Sequence, residues 1–197
     1  MVAEARKLLD AAADQTGRAM LPSLVLRLFC GLRTTEAVKL DWSEVRWLEK
    51  RPFVHVLAEN AKSRRNRLVE IPENALAWLK LCNPPPQGHV APGNGNVRRY
   101  CNQFARLVRR AGFGPQDGTR KTSWENNYTR HSFGSYHCSL YGNPIRTAEQ
   151  MGHNQNDGVL FSHYRAMVKP GEGEAYFSLR PAGSEGNVTA FPAAASA

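Results

Sequence analysis

Gly31-Leu32-Arg33-Thr34-Thr35-Glu36-Ala37-Val38-Lys39-Leu40-Asp41-Trp42 joins two helical stretches through a turn that carries a cation. Upstream, residues 21–32 are apolar at most positions and read as a buried helix. Downstream, Thr34 and Thr35 precede a second helical run in which Ala37, Val38 and Leu40 bring the chain to Asp41-Trp42. Helix, turn and helix are therefore packed around Gly31-Leu32-Arg33. Arg33 can project from that junction, and Glu36 stands where a carboxylate would hold a guanidinium by a two-point pair. A purely structural Arg-Glu pair would use the same residues.

Working outward, residues 4–13 place Ala5, Leu8, Leu9 and Ala12 at helical spacing and are followed by a break at 14–17. Residues 53–57 and 67–71 read as strands, with the polar stretch 59–66 between them as the basic tip of a hairpin. A helix is predicted over 74–81, a loop at Pro84-Pro85-Pro86, and a basic amphipathic helix over 97–111 carrying Arg98, Arg99, Arg106, Arg109 and Arg110. Glycines around 112–118 end it. Residues 124–141 and 144–151 read as two more helices, followed by a polar turn and a last helical piece near 160–168. The fold class is α+β, mainly α, with one small antiparallel β-sheet or hairpin. Residues 1–181 form the domain, and the Ala/Gly/Ser-rich stretch 182–197 is expected to be a flexible tail.

The chain has 197 residues, enough for one ordinary core. Its net charge of +9 and pI of 9.7 make a polyanion the natural partner, with nucleic acid first among the candidates. Residues 20–32, the longest apolar stretch, are interrupted by Pro22, Ser23 and Arg27 and cannot span a bilayer. Neither an interfacial anchor nor a secretory pattern is visible, so no membrane is expected and a cytoplasmic location is. Cys30, Cys82, Cys101 and Cys138 form no CxxC pair and are expected to be buried thiols.

Four further groups of residues carry chemistry. At the hairpin tip, Ala61-Lys62-Ser63-Arg64-Arg65-Asn66-Arg67 offers Arg64, Arg65 and Arg67 to phosphates, and an ammonium, Lys62, that can reach a leaving oxygen and donate a proton. A solvated turn would have the same composition. In Asn127-Tyr128-Thr129-Arg130-His131, Asn127 lies three residues from Arg130 and four from His131, so one helical face can present three donors to an anion. Met151-Gly152-His153 supplies another donor, and His163-Tyr164-Arg165 places a phenol eleven residues beyond His153. Each group also has an ordinary structural use.

In chain order, GLRTTEAVKLDW (31–42), AKSRRNRLVEIP (61–72), NYTRHSFGSYH (127–137), MGHNQ (151–155) and FSHYRAM (161–167) resemble the catalytic domain of the tyrosine recombinase, or phage integrase, family. The resemblance runs over residues 3–168. It implies that Arg33 and Arg130 hold the non-bridging oxygens of the scissile phosphate and that His153 is a further donor to it. By the same resemblance Lys62 protonates the departing 5′ oxygen, His131 is a supporting or base residue, and Tyr164 is the nucleophile. Asn127 departs from the pattern, since the family most often has His there; an amide can donate a hydrogen bond but cannot exchange a proton near neutral pH. The interval from His153 to Tyr164 is about two residues longer than usual, which puts Ser162 at the usual spacing, but only Tyr164 offers a phenol.

The implied reaction is DNA cleavage and rejoining through a 3′-phosphotyrosine, with no metal and no other cofactor. Fixed cationic donors are each worth about 10²–10³ in rate on the charge that builds at phosphorus. The implied partner is double-stranded DNA, bound by a homotetramer on paired sites and by a monomer when free. The family's separate N-terminal core-binding domain is not part of this chain, so weak, salt-sensitive DNA binding is expected of it alone. Arg98, Arg99 and Arg106 are candidate phosphate contacts. A segment at 174–179 is expected either to dock on a neighbouring protomer or to pack on its own domain. Three alternatives stay open: a type IB topoisomerase-like enzyme, a catalytically silent DNA-binding protein of the same fold, and a metal site using His131, His137, Cys138, His153 and His163. Spacing disfavours the last, because His131 and His137 fall on different helical faces.

Overall fold

The first helix, α1 (Val2–Ala13), turns Ala5, Leu8, Leu9 and Ala12 inward, the stripe that its sequence spacing predicts. The structure is a computed structural model that describes residues 2–114, 124, 127–153, 168–169 and 171–184. At its centre lies α2 (Leu21–Phe29), all nine residues of which are buried. A helix that is apolar all round needs neighbours on every side, and α2 is flanked by α1, α3 (Thr34–Lys39), α4 (Glu73–Lys80) and α6 (Tyr128–Tyr141). The single charge on it, Arg27, donates to the Tyr100 hydroxyl at 3.1 Å and lies 4.7 Å from the centre of the Phe104 ring. Both aromatics belong to α5 (Val97–Val108), so a cation–π contact joins the central helix to the basic one.

Three antiparallel strands, β1 (Val45–Arg46), β2 (Phe53–Val56) and β3 (Arg67–Glu70), form a sheet in the order β1-β2-β3. Val54 pairs with Val69, and Val56 with Arg67. Strand side chains alternate, so Arg67 and Val69 share the inward face while Leu68 and Glu70 face water. The outer edge of β3 meets α7 (Pro144–Met151), where the Gln150 side chain accepts the Glu70 backbone N–H at 3.0 Å. That contact blunts the exposed edge.

The segment expected at 174–179 packs on its own domain. It includes most of α8 (Glu172–Phe177), whose Tyr176 is fully buried, stacks on Tyr136 with ring centres 4.2 Å apart, and donates its hydroxyl to the Leu28 carbonyl at 3.0 Å. Trp78 then donates its indole N–H to the Leu179 carbonyl at 2.9 Å. Among the described residues no helix is long and apolar enough to cross a membrane.

The mainly helical α+β class is confirmed, with several boundaries moved. Helix α2 stops at Phe29 rather than 32, because Gly31 takes φ +64° and opens the turn. The helix predicted from 124 begins at Tyr128, since Asn127 is left-handed at φ 67°. The α-helical part of the 97–111 prediction ends at Val108 and is followed by a kinked turn, Arg109–Phe113, in which Gly112 leaves the helical region at φ 87°. Cys101 is exposed and Cys82 only half-buried, against the expectation of four buried thiols. The helix predicted near 160–168 lies outside the described residues except at Val168, as does the tail beyond Ser184.

Candidate active site

Glu36 organises the site. It is the third residue of α3, and its Oε2 accepts the Arg33 backbone N–H at 2.9 Å, closing the first turn. Its Oε1 accepts from Arg33 Nη1 at 3.0 Å. Arg67 reaches across from β3 and binds both oxygens, at 3.1 and 2.8 Å. One carboxylate with 1% of its side chain exposed thus receives four N–H donors from two arginines. Burial pushes the Glu36 pKa up, but the hydrogen bond and charge of Arg67, then those of Arg33, outweigh it and hold the carboxyl below its ordinary 4.5. Two guanidiniums share one negative charge, so the group keeps one positive charge at a part-buried position.

Arg33 also extends Nη2 to the Gly152 carbonyl at 3.4 Å. Arg130, 4% exposed, donates Nη1 to the Gly31 carbonyl and Nη2 to the Met151 carbonyl. The turn that receives both arginines is the C-terminus of α7. Gly152 is left-handed at φ 63°, and the His153 N–H returns to the Ala148 carbonyl at 2.9 Å. This Schellman-type ending fixes the direction in which His153 leaves the helix. Arg33, Arg130 and His153, predicted from three distant stretches, are thereby gathered around residues 151–153.

The other predicted residues stand further out. Lys62 is exposed on the β2–β3 connection, beside a surface hollow lined by Ala58, Glu59, Ala61, Lys62 and Arg64, and among the described residues it has no bonded partner. Successive turns shape that connection, with Ala61 N–H to the Leu57 carbonyl at 3.1 Å and Arg64 N–H to the Ala61 carbonyl at 3.0 Å. Asn127 is exposed and precedes α6 rather than lying on its face, so the three-donor helical face is not formed as predicted. Arg130 turns into the protein, while His131 is exposed on the first turns of α6. Partial burial, then the Arg130 charge, lowers the His131 pKa below 6.5, which leaves the ring neutral at pH 7. Tyr164 and His163 lie outside the described residues.

Arg64, Arg65, Arg98, Arg99 and Arg106 are all exposed. Arg67 is not among them in kind: its guanidinium is bound to Glu36 and to the Gln150 carbonyl, at 3.3 Å for the latter. Sequence reasoning placed Arg67 on DNA and did not foresee this inward role. It also missed the Gly31, Met151 and Gly152 carbonyls, because a backbone acceptor leaves no trace in residue identity.

The phage integrase family model matches residues 2–169. The chain belongs to the phage integrase family. Among solved structures, this integrase-family chain is similar to the XerA recombinase crystal structure, at 20% identity and a TM-score of 0.56 over 90% of this chain and 63% of that one. It is also similar to the XerH site-specific recombinase bound to a palindromic difH substrate in a post-cleavage complex. There the identity is 19% and the TM-score 0.57, over 87% of this chain and 49% of that one. At such identities the likeness shows the fold, and the integrase-family chain spans less than two thirds of either neighbour. No curated protein sequence matches it.

Proposed function

We propose that this domain cuts and rejoins double-stranded DNA at specific sites through a covalent phosphotyrosine. The observation that carries the proposal is the meeting of Arg33, Arg130 and His153 at one backbone turn, in the order and fold of an integrase-family domain. Arg33 and Arg130 would bind the non-bridging oxygens of the phosphate, with His153 as a further donor. The Tyr164 Oη would attack phosphorus, the bond to the 5′ oxygen would break, and Lys62 would give that oxygen its proton. The 3′-phosphotyrosine so formed conserves the bond energy, and the freed hydroxyl of the same or another strand can reverse the step. A phenol has a pKa near 10, so the nucleophile needs neighbouring cations or a base; neutral His131 is suited to accept its proton.

Residues 1–181 would be the catalytic unit and 182–197 a tail. Arg64, Arg65, Arg98, Arg99 and Arg106 would contact phosphates, and four protomers would assemble on paired sites. A silent DNA-binding protein of this fold is the second reading. It is favoured by Asn127, whose amide cannot move a proton.

The test is a denaturing gel of the protein incubated in EDTA with nicked duplexes from the regions flanking its gene. A covalent protein–DNA band that disappears in Tyr164→Phe is the expected result. Equal DNA binding by both proteins with no band on any substrate would establish the silent reading instead.

A further inference from the structure

Arg67 touches two of the segments that build the site from a third. Nη1 and Nη2 take both oxygens of Glu36 from α3, and Nε donates to the carbonyl of Gln150 in α7. The remaining partner is a gap: a Cβ at Gly152 would stand 3.0 Å from the Arg67 side chain, so the glycine turn and the guanidinium are in close contact. The Arg67 side chain is 10% exposed, against 18% for Arg33. The two arginines repel each other across one carboxylate. With Arg67 held inside by two-point geometry and a carbonyl, the uncompensated charge falls on Arg33, which lies nearer the surface. Arg33 meets Glu36 through a single Nη contact and the backbone, and its other prong has only the long 3.4 Å contact to the Gly152 carbonyl, so it is held less firmly than the Arg67 fork that takes both carboxylate oxygens.

We infer that Arg67 is a positioning residue, which clamps Glu36 so that Arg33 is presented beside the Gly152-His153 turn, and that it does not itself contact DNA. The inference rests on the proposed strand-cleavage reading, in which Arg33 binds the scissile phosphate. It assigns to a residue of the basic hairpin a role opposite to that of its neighbours Arg64 and Arg65. Displacing a reacting group by as little as 1 Å can cost on the order of 10²-fold in rate, and that is the size of effect at stake.

The experiment measures the single-turnover rate of covalent adduct formation at saturating nicked DNA, together with affinity at several salt concentrations. The variants are Arg67→Lys and Arg67→Met, each alone and combined with Arg33→Lys. The rate should fall by up to about 10²-fold in Arg67→Lys while affinity and its salt dependence stay as in the wild type. Once Arg33 is already altered, the Arg67 substitutions should have little further effect, because they act through it. Fully multiplicative losses would overturn the proposal. So would an Arg67→Met protein with weaker, less salt-dependent binding and an unchanged rate at saturation, since that is the behaviour of a phosphate contact. Arg67→Lys keeps the buried cation and carries the test if Arg67→Met does not fold. If the wild type forms no adduct, the cleavage reading fails by itself, and Arg67 is judged on the Arg33 side-chain Nε–H resonance in ¹⁵N-arginine-labelled protein. That resonance should shift or broaden in Arg67→Lys; an unchanged one would refute the clamp.

Discussion

Gly31 shows how much a single residue fixes at this site. Its φ of +64° sits in the left-handed region, and an added Cβ would stand 2.4 Å from the Phe133 ring. Gly142 has nearly the same φ, +58°, with open space around it. Gly142→Ala should therefore cost only backbone strain, about 1–2 kcal/mol. Gly31→Ala should cost a further ~1–3 kcal/mol from the forced repacking of Phe133, and chemical denaturation of the two variants will measure the difference. Because the Gly31 carbonyl also anchors Arg130, adduct formation should drop in Gly31→Ala and persist in Gly142→Ala. At this scale the sequence was legible in part: Glu36 does hold the Arg33 guanidinium, and Arg130 and His153 meet it at one turn, but the two-point pair on Glu36 is made by Arg67, and Arg130 turns inward rather than sharing a helical face with Asn127. The inward contacts of Arg67 were not foreseen because four cations within six residues look like one patch. The cue lay in the strand alternation, which ties Arg67 to the face of buried Val69.

Among the elements, α5 divides its two faces most sharply. Tyr100, Phe104, Leu107 and Val108 pack inward, while Arg98, Arg99 and Arg106 point to water. Arg98, Arg99 and Arg106→Gln should leave the melting temperature nearly unchanged. The slope of log affinity for duplex DNA against log salt should flatten by about 0.9 for each residue that sat on a phosphate; an unchanged slope would place the DNA elsewhere. The start and the two faces of this helix were read correctly, though not its C-terminal end, because its apolar stripe and its charges agree with one period. The boundaries that were misplaced lack such agreement. Asn tolerates the left-handed conformation, yet Asn127 sits at helical spacing from Arg130 and His131, so the pattern ran on past the true start of α6. Strand β1, of two residues, is too short to show any alternation at all.

For the molecule as a whole, acid stability separates two buried groups. Burial, reinforced by the Arg146 charge, lowers the His137 pKa from 6.5 to about 3, and its Nδ1 sits 2.8 Å from the Thr147 hydroxyl. The unfolded chain takes up a proton there as pH falls below 6.5, whereas the folded chain does so only near 3, so stability is lost progressively across that window. Glu36 acts lower: its stabilisation is complete above 4.5 and is lost as pH falls through its depressed folded value. Denaturant titrations between pH 6.5 and 5 should therefore show a slope reduced by up to about 1.4 kcal/mol per pH unit in His137→Leu, and an unaltered slope in Glu36→Gln. The docking of α8 also bears on how the chain folds during synthesis. Tyr176 closes over Leu28 from 148 residues away, and Leu179 reaches Trp78 across 101. Chains emerge from the ribosome N-terminus first, and contacts so distant in sequence form slowly. Until α8 has been made, Phe29 lacks the Tyr176 ring that packs on it in the folded chain. The partly made chain is therefore expected to bind chaperones until residues 176–179 arrive to seal this part of the core.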